Sequence, residues 1–302
     1  MNCKHILIIL AVLLLSTLPV NAQNKIRVWD GTDVDASGVT LTEYPPKGEN
    51  KHIAVIICPG GSYCWRDMKS EGKDVAQWLS KNGITAFVIR YRVQGIFPFI
   101  THSRLIIKGN QHPDMISDLQ RAIQYVRDNA QTYNIDTDRI GVIGFSAGGH
   151  LAMSAGEMFS TNYLGLLGIE PTSSLRPDFV GLLYPVVTFT EKCTHGRSRR
   201  ALLGELGQYN RTLRDSLSLE KHVADDCPPV FLVNCKDDPT VDYHNSELLD
   251  SALTAHGVRH KYIQYQTGGH GFGASSKKGT AECRQWKDEF LKWLDELFTV
   301  VQ

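Results

Sequence analysis

The chain has little of what marks several common classes of protein. It carries no excess of either charge, with 32 Lys and Arg against 32 Asp and Glu in 302 residues. No long run of like charge breaks the sequence. A nucleic-acid partner needs a basic surface that displaces counterions, so that role is excluded, and polyanionic substrates are disfavoured. Heptads, long-period repeats and low-complexity tracts are absent as well. Cysteine is scarce, at seven residues, with no C-x-x-C, no Cys/His metal spacing and no H-E-x-x-H. This is neither a disulfide scaffold nor a readable metal site. Cys58 and Cys235 close apolar runs, where buried thiols are expected. Long apolar runs are missing too, apart from residues 6–15, which follow Lys4 and His5 and precede Pro19, Val20 and Ala22. That run is short for a membrane span and Pro19 breaks it. Residues 1–22 are expected to be an export signal cut before Gln23, which leaves no stable membrane anchor. The expected location is periplasmic or extracellular.

What is present is 42% hydrophobic and 21% charged, the balance of a folded domain. Residues 26–29 and 39–44 alternate like half-buried strands. Residues 53–57, 86–89, 140–145, 179–184, 230–234 and 262–265 read as further strands, several of them apolar throughout, as in a central parallel sheet. Helical faces lie between them: Val75, Ala76, Trp78 and Leu79; Met115, Leu119, Ala122, Ile123 and Val126; residues 147–157; Leu248, Leu249 and Leu253; and Trp286, Phe290, Trp293 and Leu297. The expectation is one α/β domain over residues 23–302, a mostly parallel central sheet with helices on both faces. Residues 93–112 and 188–215 have no clear period and are expected to shape a pocket. Nothing in the sequence specifies an oligomeric state.

The sharpest motif is Gly144-Phe145-Ser146-Ala147-Gly148, a G-x-S-x-G with an apolar strand before it and a helix after it. Such a turn exposes Ser146 at the carboxyl edge of a sheet, and glycines are needed where a Cβ would crowd the backbone. A dinucleotide-binding turn is disfavoured by the spacing, and no acidic residue closes a following strand. A serine hydroxyl needs a base, and the base an orienting carboxylate. His270, in the glycine-rich loop after the last strand, is the expected base. Asp238, in Asp237-Asp238-Pro239-Thr240-Val241, is the favoured carboxylate, with Asp237 as the alternative. The oxyanion needs two backbone donors. Ala147 supplies one, and Gly61, in the turn Pro59-Gly60-Gly61-Ser62-Tyr63 after an early strand, the other. Gly60, Ser62, Tyr63 and Trp65 are candidate pocket residues, with Arg66 beside them. His150 is expected to satisfy core polar groups, and Asp118 and Arg121 to form a structural pair.

These motifs together resemble the α/β-hydrolase superfamily, in its secreted esterase/lipase-like branch that includes acetyl-xylan-esterase-like and feruloyl-esterase-like proteins. Residues 58–65 (CPGGSYCW) are similar to that branch's oxyanion loop, with Pro59 in place of a histidine and Ser62 in place of a third glycine. Residues 144–152 (GFSAGGHLA) match its nucleophile turn, while DDPTV and GGHGFG match the acid and base loops. Residues 185–187, 194–198 and 202–204 are similar to its lid-side segment. The resemblance implies an α/β-hydrolase fold and a serine esterase that uses Ser146, Asp238 and His270 without metal or organic cofactor. The implied substrate is a small-molecule or carbohydrate ester, such as acetylated xylan. Two other activities compete: a serine exopeptidase of the prolyl-oligopeptidase type, and a xylan-degrading glycosidase, which needs two carboxylates across the sugar.

Overall fold

Strand β3 (Ala54–Cys58) is buried along its whole length, as its unbroken apolar sequence requires. Its side chains alternate between two cores. Ala54, Ile56 and Cys58 join one apolar cluster, and Val55 and Ile57 join the other. The computed structural model describes residues 24–96 and 110–299, so the expected export signal and most of the 93–112 loop lie outside the described residues. Around β3 the described strands are β1 (Lys25–Arg27), β2 (Thr40–Tyr44), β4 (Thr85–Arg90), β5 (Ile140–Phe145), β6 (Val180–Leu183), β7 (Val230–Cys235) and β8 (His260–Tyr265). They form one sheet in the order β1-β2-β4-β3-β5-β6-β7-β8. β1 and β2 are antiparallel at one edge, and the strands from β4 to β8 run parallel.

Helices cover both faces. α1 (Asp74–Lys81) and α6 (Trp286–Phe298) pack on one face through Val75, Leu79, Trp286, Phe290 and Trp293. The rings of Trp78 and Trp286 meet edge to face at 4.9 Å. α2 (Asp114–Asp128), α3 (Ala147–Glu157) and α5 (His244–Ala255) cover the other face with Leu119, Ile123, Leu151, Leu249 and Leu253. Each such fully buried side chain contributes about 1.5–3 kcal/mol. The expected α/β architecture is therefore observed, with strand ends differing by a residue or two. The register aligns the carboxyl ends, with Cys58 opposite Gly144 and Phe145 opposite Leu183. The chain leaves β3 toward β4 on one side and β5 lies on the other. The crevice above β3 and β5 is thus a topological switch point, where ligands bind in open sheets.

One expected pair is not formed. Asp118, fully buried, accepts from the Trp29 indole at 2.9 Å and from the Arg92 amide at 2.7 Å, and pairs with the Arg92 guanidinium at 2.9 Å. Arg121 instead donates to the Val28 carbonyl and the Gln124 side chain. Three donors from other segments outcompete a neighbour on the same helix, because a buried carboxylate needs its lone pairs filled.

The end of α3 holds a different burden. Both carboxyl oxygens of Glu157 are enclosed and have no hydrogen-bond partner among the described residues. Burial, then the neighbouring Glu220, pushes its pKa well above the ordinary carboxyl range. A carboxyl that stays protonated when folded but ionises when unfolded stabilises fully only below the unfolded value, and that stability fades as pH rises. Glu157→Gln is accordingly expected to raise the melting temperature at pH 8 by about 2–6 °C, with little change near pH 4. Thermal melts at both pH values check this; equal shifts at both would refute it.

Candidate active site

The turn between β5 and α3 holds Ser146 at φ 53°, ψ −121°, a backbone conformation that side-chain-bearing residues rarely adopt. Close packing keeps it there. A Cβ on Gly144 would lie 2.1 Å from the Gly148 carbonyl oxygen, and one on Gly148 would lie 2.1 Å from that of Cys58. Both glycines of the motif are required by backbone contact, as the sequence suggested. Ser146 is 4% exposed, at the amino end of α3.

His270 reaches it from the loop after β8. Its Nε2 lies 2.9 Å from Ser146 Oγ, and its Nδ1 lies 2.6 Å from Asp238 Oδ2. The other Asp238 oxygen accepts the amides of Thr240 and Val241 at 2.7 and 3.0 Å. That fixes a carboxylate whose side chain is 1% exposed. Asp237 faces elsewhere: its carboxylate accepts from the amides of Gly268 and Gly269, at 3.2 and 2.9 Å, and so caps the histidine loop. The geometry brings Ser146, His270 and Asp238 into one chain of hydrogen bonds and gives Asp237 a supporting place.

Beside Ser146 lies the turn after β3. The Gly60 amide donates to Glu71 Oε2 at 2.7 Å and is therefore occupied. The amides of Gly61 and Ala147 have no acceptor among the described residues. Gly61 has φ 141°, and a Cβ there would lie 2.3 Å from the Trp65 carbonyl oxygen. Its carbonyl accepts the amides of Cys64 and Trp65, which closes the turn. Two unpaired donors next to a serine hydroxyl can stabilise an oxyanion.

The candidate pocket residues divide. Trp65 is 36% exposed, with the Arg197 guanidinium 5.9 Å from its ring centre. Ser62 is buried, and Tyr63, 1% exposed, belongs to the core. Its hydroxyl lies 2.8 Å from His150 Nδ1, and His150 Nε2 lies 2.9 Å from the Leu217 carbonyl oxygen. Positive φ at both Ser62 and Tyr63 turns the chain so that the Tyr63 ring enters the core. His150 thus satisfies core polar groups as expected, and burial lowers it to about 4, so it is neutral.

Three further residues neighbour the site, and of these only His195, within residues 194–198, carried a sequence signal. Glu71 sits behind Gly60. Tyr184, just past β6, has its ring 4.6 Å from that of His270. His195, in the segment before helix α4 (Gly196–Gly207), lies 2.8 Å from the buried Ser198 hydroxyl. Burial, then the charge of His270, lowers His195 to about 4. Among the described residues no group of three or more His, Cys, Asp or Glu is placed to hold a metal ion. Likewise, no described helix is long and apolar enough to cross a membrane.

Fold and site geometry together define an α/β hydrolase. More narrowly, the chain belongs to the BD-FAE family, whose pattern it matches over residues 42–253. It is 33% identical over 239 residues to endo-1,4-beta-xylanase B of Butyrivibrio fibrisolvens, which covers 76% of this chain and 34% of that protein. It is 28% identical over 263 residues to an acetylxylan esterase of Xylanibacter ruminicola, which covers 86% of this chain and 48% of that one. The chain therefore spans a third to a half of the length of these two relatives. A solved structure, an acetyl ester-xyloside bifunctional hydrolase from Caldicellulosiruptor lactoaceticus, superposes with a TM-score of 0.77 at 33% identity. There the match covers 91% of this chain and 96% of the other.

Proposed function

We infer that the protein is a serine carboxylic-ester hydrolase that removes acetyl or other short acyl groups from carbohydrate, acetylated xylan being the favoured class. The observation that carries this is the run of contacts Ser146–His270–Asp238, at 2.9 and 2.6 Å, next to two unpaired amides. His270 takes the Ser146 proton as Oγ attacks the ester carbonyl, and Asp238 orients the imidazole and stabilises its charged form. The oxyanion is held by the amides of Gly61 and Ala147. The alcohol leaves with the proton from His270, and water then cleaves the acyl-enzyme by the same steps. The matched acetylxylan esterase and the acetyl ester-xyloside hydrolase support acetyl esters as the substrate class.

The xylanase and xyloside names among the relatives raise glycoside cleavage as a second reading. That chemistry needs a pair of carboxyl groups flanking the sugar. Here Asp238 is committed to His270, and Glu71 is shut behind Gly60. The deciding experiment gives the purified protein p-nitrophenyl acetate, butyrate, a feruloyl ester, acetylated xylan and a peptide amide. Acetate release without new reducing ends is the expected outcome. Reducing ends or amide cleavage without acetate would overturn the reading.

A further inference from the structure

A second carboxylate stands close behind the serine and histidine. Glu71 is 3% exposed and lies in the π-helical turn Met68–Lys73 that leads into α1. One oxygen accepts the Gly60 amide at 2.7 Å, and the other accepts the Tyr184 hydroxyl at 3.0 Å. The Tyr184 hydroxyl in turn accepts the Gly273 amide at 2.9 Å. Gly273 lies three residues past His270, and its carbonyl is held by the Trp286 indole at 3.0 Å. Hydrogen bonds therefore run from the oxyanion turn, through Glu71 and Tyr184, into the loop that carries the base. A Cβ on Gly60 would lie 2.8 Å from both Glu71 Oε2 and Ser146 Cβ, so one glycine separates the carboxylate from the nucleophile.

The donors also indicate the charge state. Because the Tyr184 hydroxyl already accepts from Gly273, its own proton points to Glu71, and the Gly60 amide points to the other oxygen. Two donors on two oxygens suit an ionised carboxylate; a protonated one would need an acceptor that the described residues do not offer. Burial, with a smaller push from the charge of Asp67, raises this carboxyl on balance, while the charge of His270 and these two hydrogen bonds oppose the rise. The groups facing His270 come from several elements: Asp238 after β7, Tyr184 after β6, His195 before α4, and Glu71.

We propose that Glu71 is a positioning residue of this site: its carboxylate ties the oxyanion turn to the histidine loop and sets a second negative charge behind His270. By occupying the Gly60 amide, it leaves the next one, Gly61, turned free for the substrate oxyanion. Its charge favours the imidazolium that forms when Ser146 gives up its proton. The proposal rests on the reading of Ser146, His270 and Asp238 given above.

The test compares wild type, Glu71→Gln and Tyr184→Phe in kcat, KM and the pH profile of kcat/KM on p-nitrophenyl acetate, with thermal melts alongside. A glutamine carbonyl can keep the Gly60 contact, while its amide group has to donate to the Tyr184 oxygen instead of accepting from it, and the charge is removed. Glu71→Gln is expected to lower kcat by about 10–100-fold with KM within about threefold. The acid limb of kcat/KM should move to lower pH, because the imidazolium has lost a neighbouring negative charge. Tyr184→Phe breaks the link but keeps the charge, so kcat should fall about tenfold with the limb in place. An unmoved acid limb in Glu71→Gln would overturn the electrostatic part, since a merely structural residue has no reason to shift it. Should Glu71→Gln not fold, Tyr184→Phe decides the positioning part, and a kcat within twofold of wild type would overturn it. Labelling of wild-type Ser146 by a fluorophosphonate separates the two levels. Absence of label refutes the esterase reading itself, whereas label with unaltered variants refutes the role of Glu71 alone.

Discussion

Ser146→Ala is expected to lower ester turnover by about 10⁶-fold while leaving the fold intact. Each piece of the site contributes to that number. The hydroxyl lies 2.9 Å from the imidazole proposed to activate it, at a backbone position held by glycine contacts on both sides. Alanine has the same steric demand at φ 53° as serine, so the strained turn and its packing remain. What vanishes is the atom that forms the acyl-enzyme, and with it the purpose of His270. The amides of Gly61 and Ala147 stay, so a residual rate of about 10³–10⁴ over water is expected from polarisation of the bound ester. Initial rates on p-nitrophenyl acetate and covalent labelling by a fluorophosphonate, at matched melting temperature, check this. A variant that kept more than a tenth of wild-type turnover would mean that another group is the nucleophile.

The parts legible in the sequence are those set by short-range rules. The G-x-S-x-G turn needed only an apolar strand before it and small residues after it, and the structure supplies the backbone contacts that make those glycines necessary. Asp238 is favoured over Asp237 in the sequence because Asp-x-x-Val returns Val241 to the sheet rim and Pro239 stiffens the turn. The structure adds what the sequence does not show, the amides of Thr240 and Val241 on the Asp238 carboxylate. The order of strands and helices followed from apolar runs and helical stripes alone.

What was not legible depends on direction and distance. Tyr63 sits in the right loop, but motif position does not say that positive φ at two successive residues will send its ring into the core. Asp118 and Arg121 have helical spacing, yet Trp29 and Arg92, from other segments, claim the carboxylate. Glu71 is one of many acidic residues until the fold brings Tyr184, over a hundred positions away in sequence, against it. Local rules locate the proposed reacting groups. The residues that hold those groups in register are chosen by tertiary contact.

The two aspartates offer the second large effect, because they are adjacent in sequence and opposite in role. Asp238→Asn is expected to lower kcat by about 10⁴-fold, with KM little changed. Asparagine is nearly the same shape, and its carbonyl can keep the amides of Thr240 and Val241, so the loop should hold. Its amide group then faces His270 Nδ1 as a donor where a carboxylate had been an acceptor. The imidazole is driven to the tautomer that carries its proton on Nε2, facing Ser146, and cannot take the serine proton. The imidazolium also loses a carboxylate 2.6 Å away. Asp237→Asn retains a carbonyl that can accept from Gly268 or Gly269 and touches neither His270 nitrogen. Its expected cost is a few-fold in kcat, through a looser base loop. Steady-state kinetics of the two variants side by side, with thermal melts, give the comparison. A larger loss in Asp237→Asn than in Asp238→Asn would reverse the assignment, since only the residue that fixes the tautomer of the base carries a penalty of the larger order.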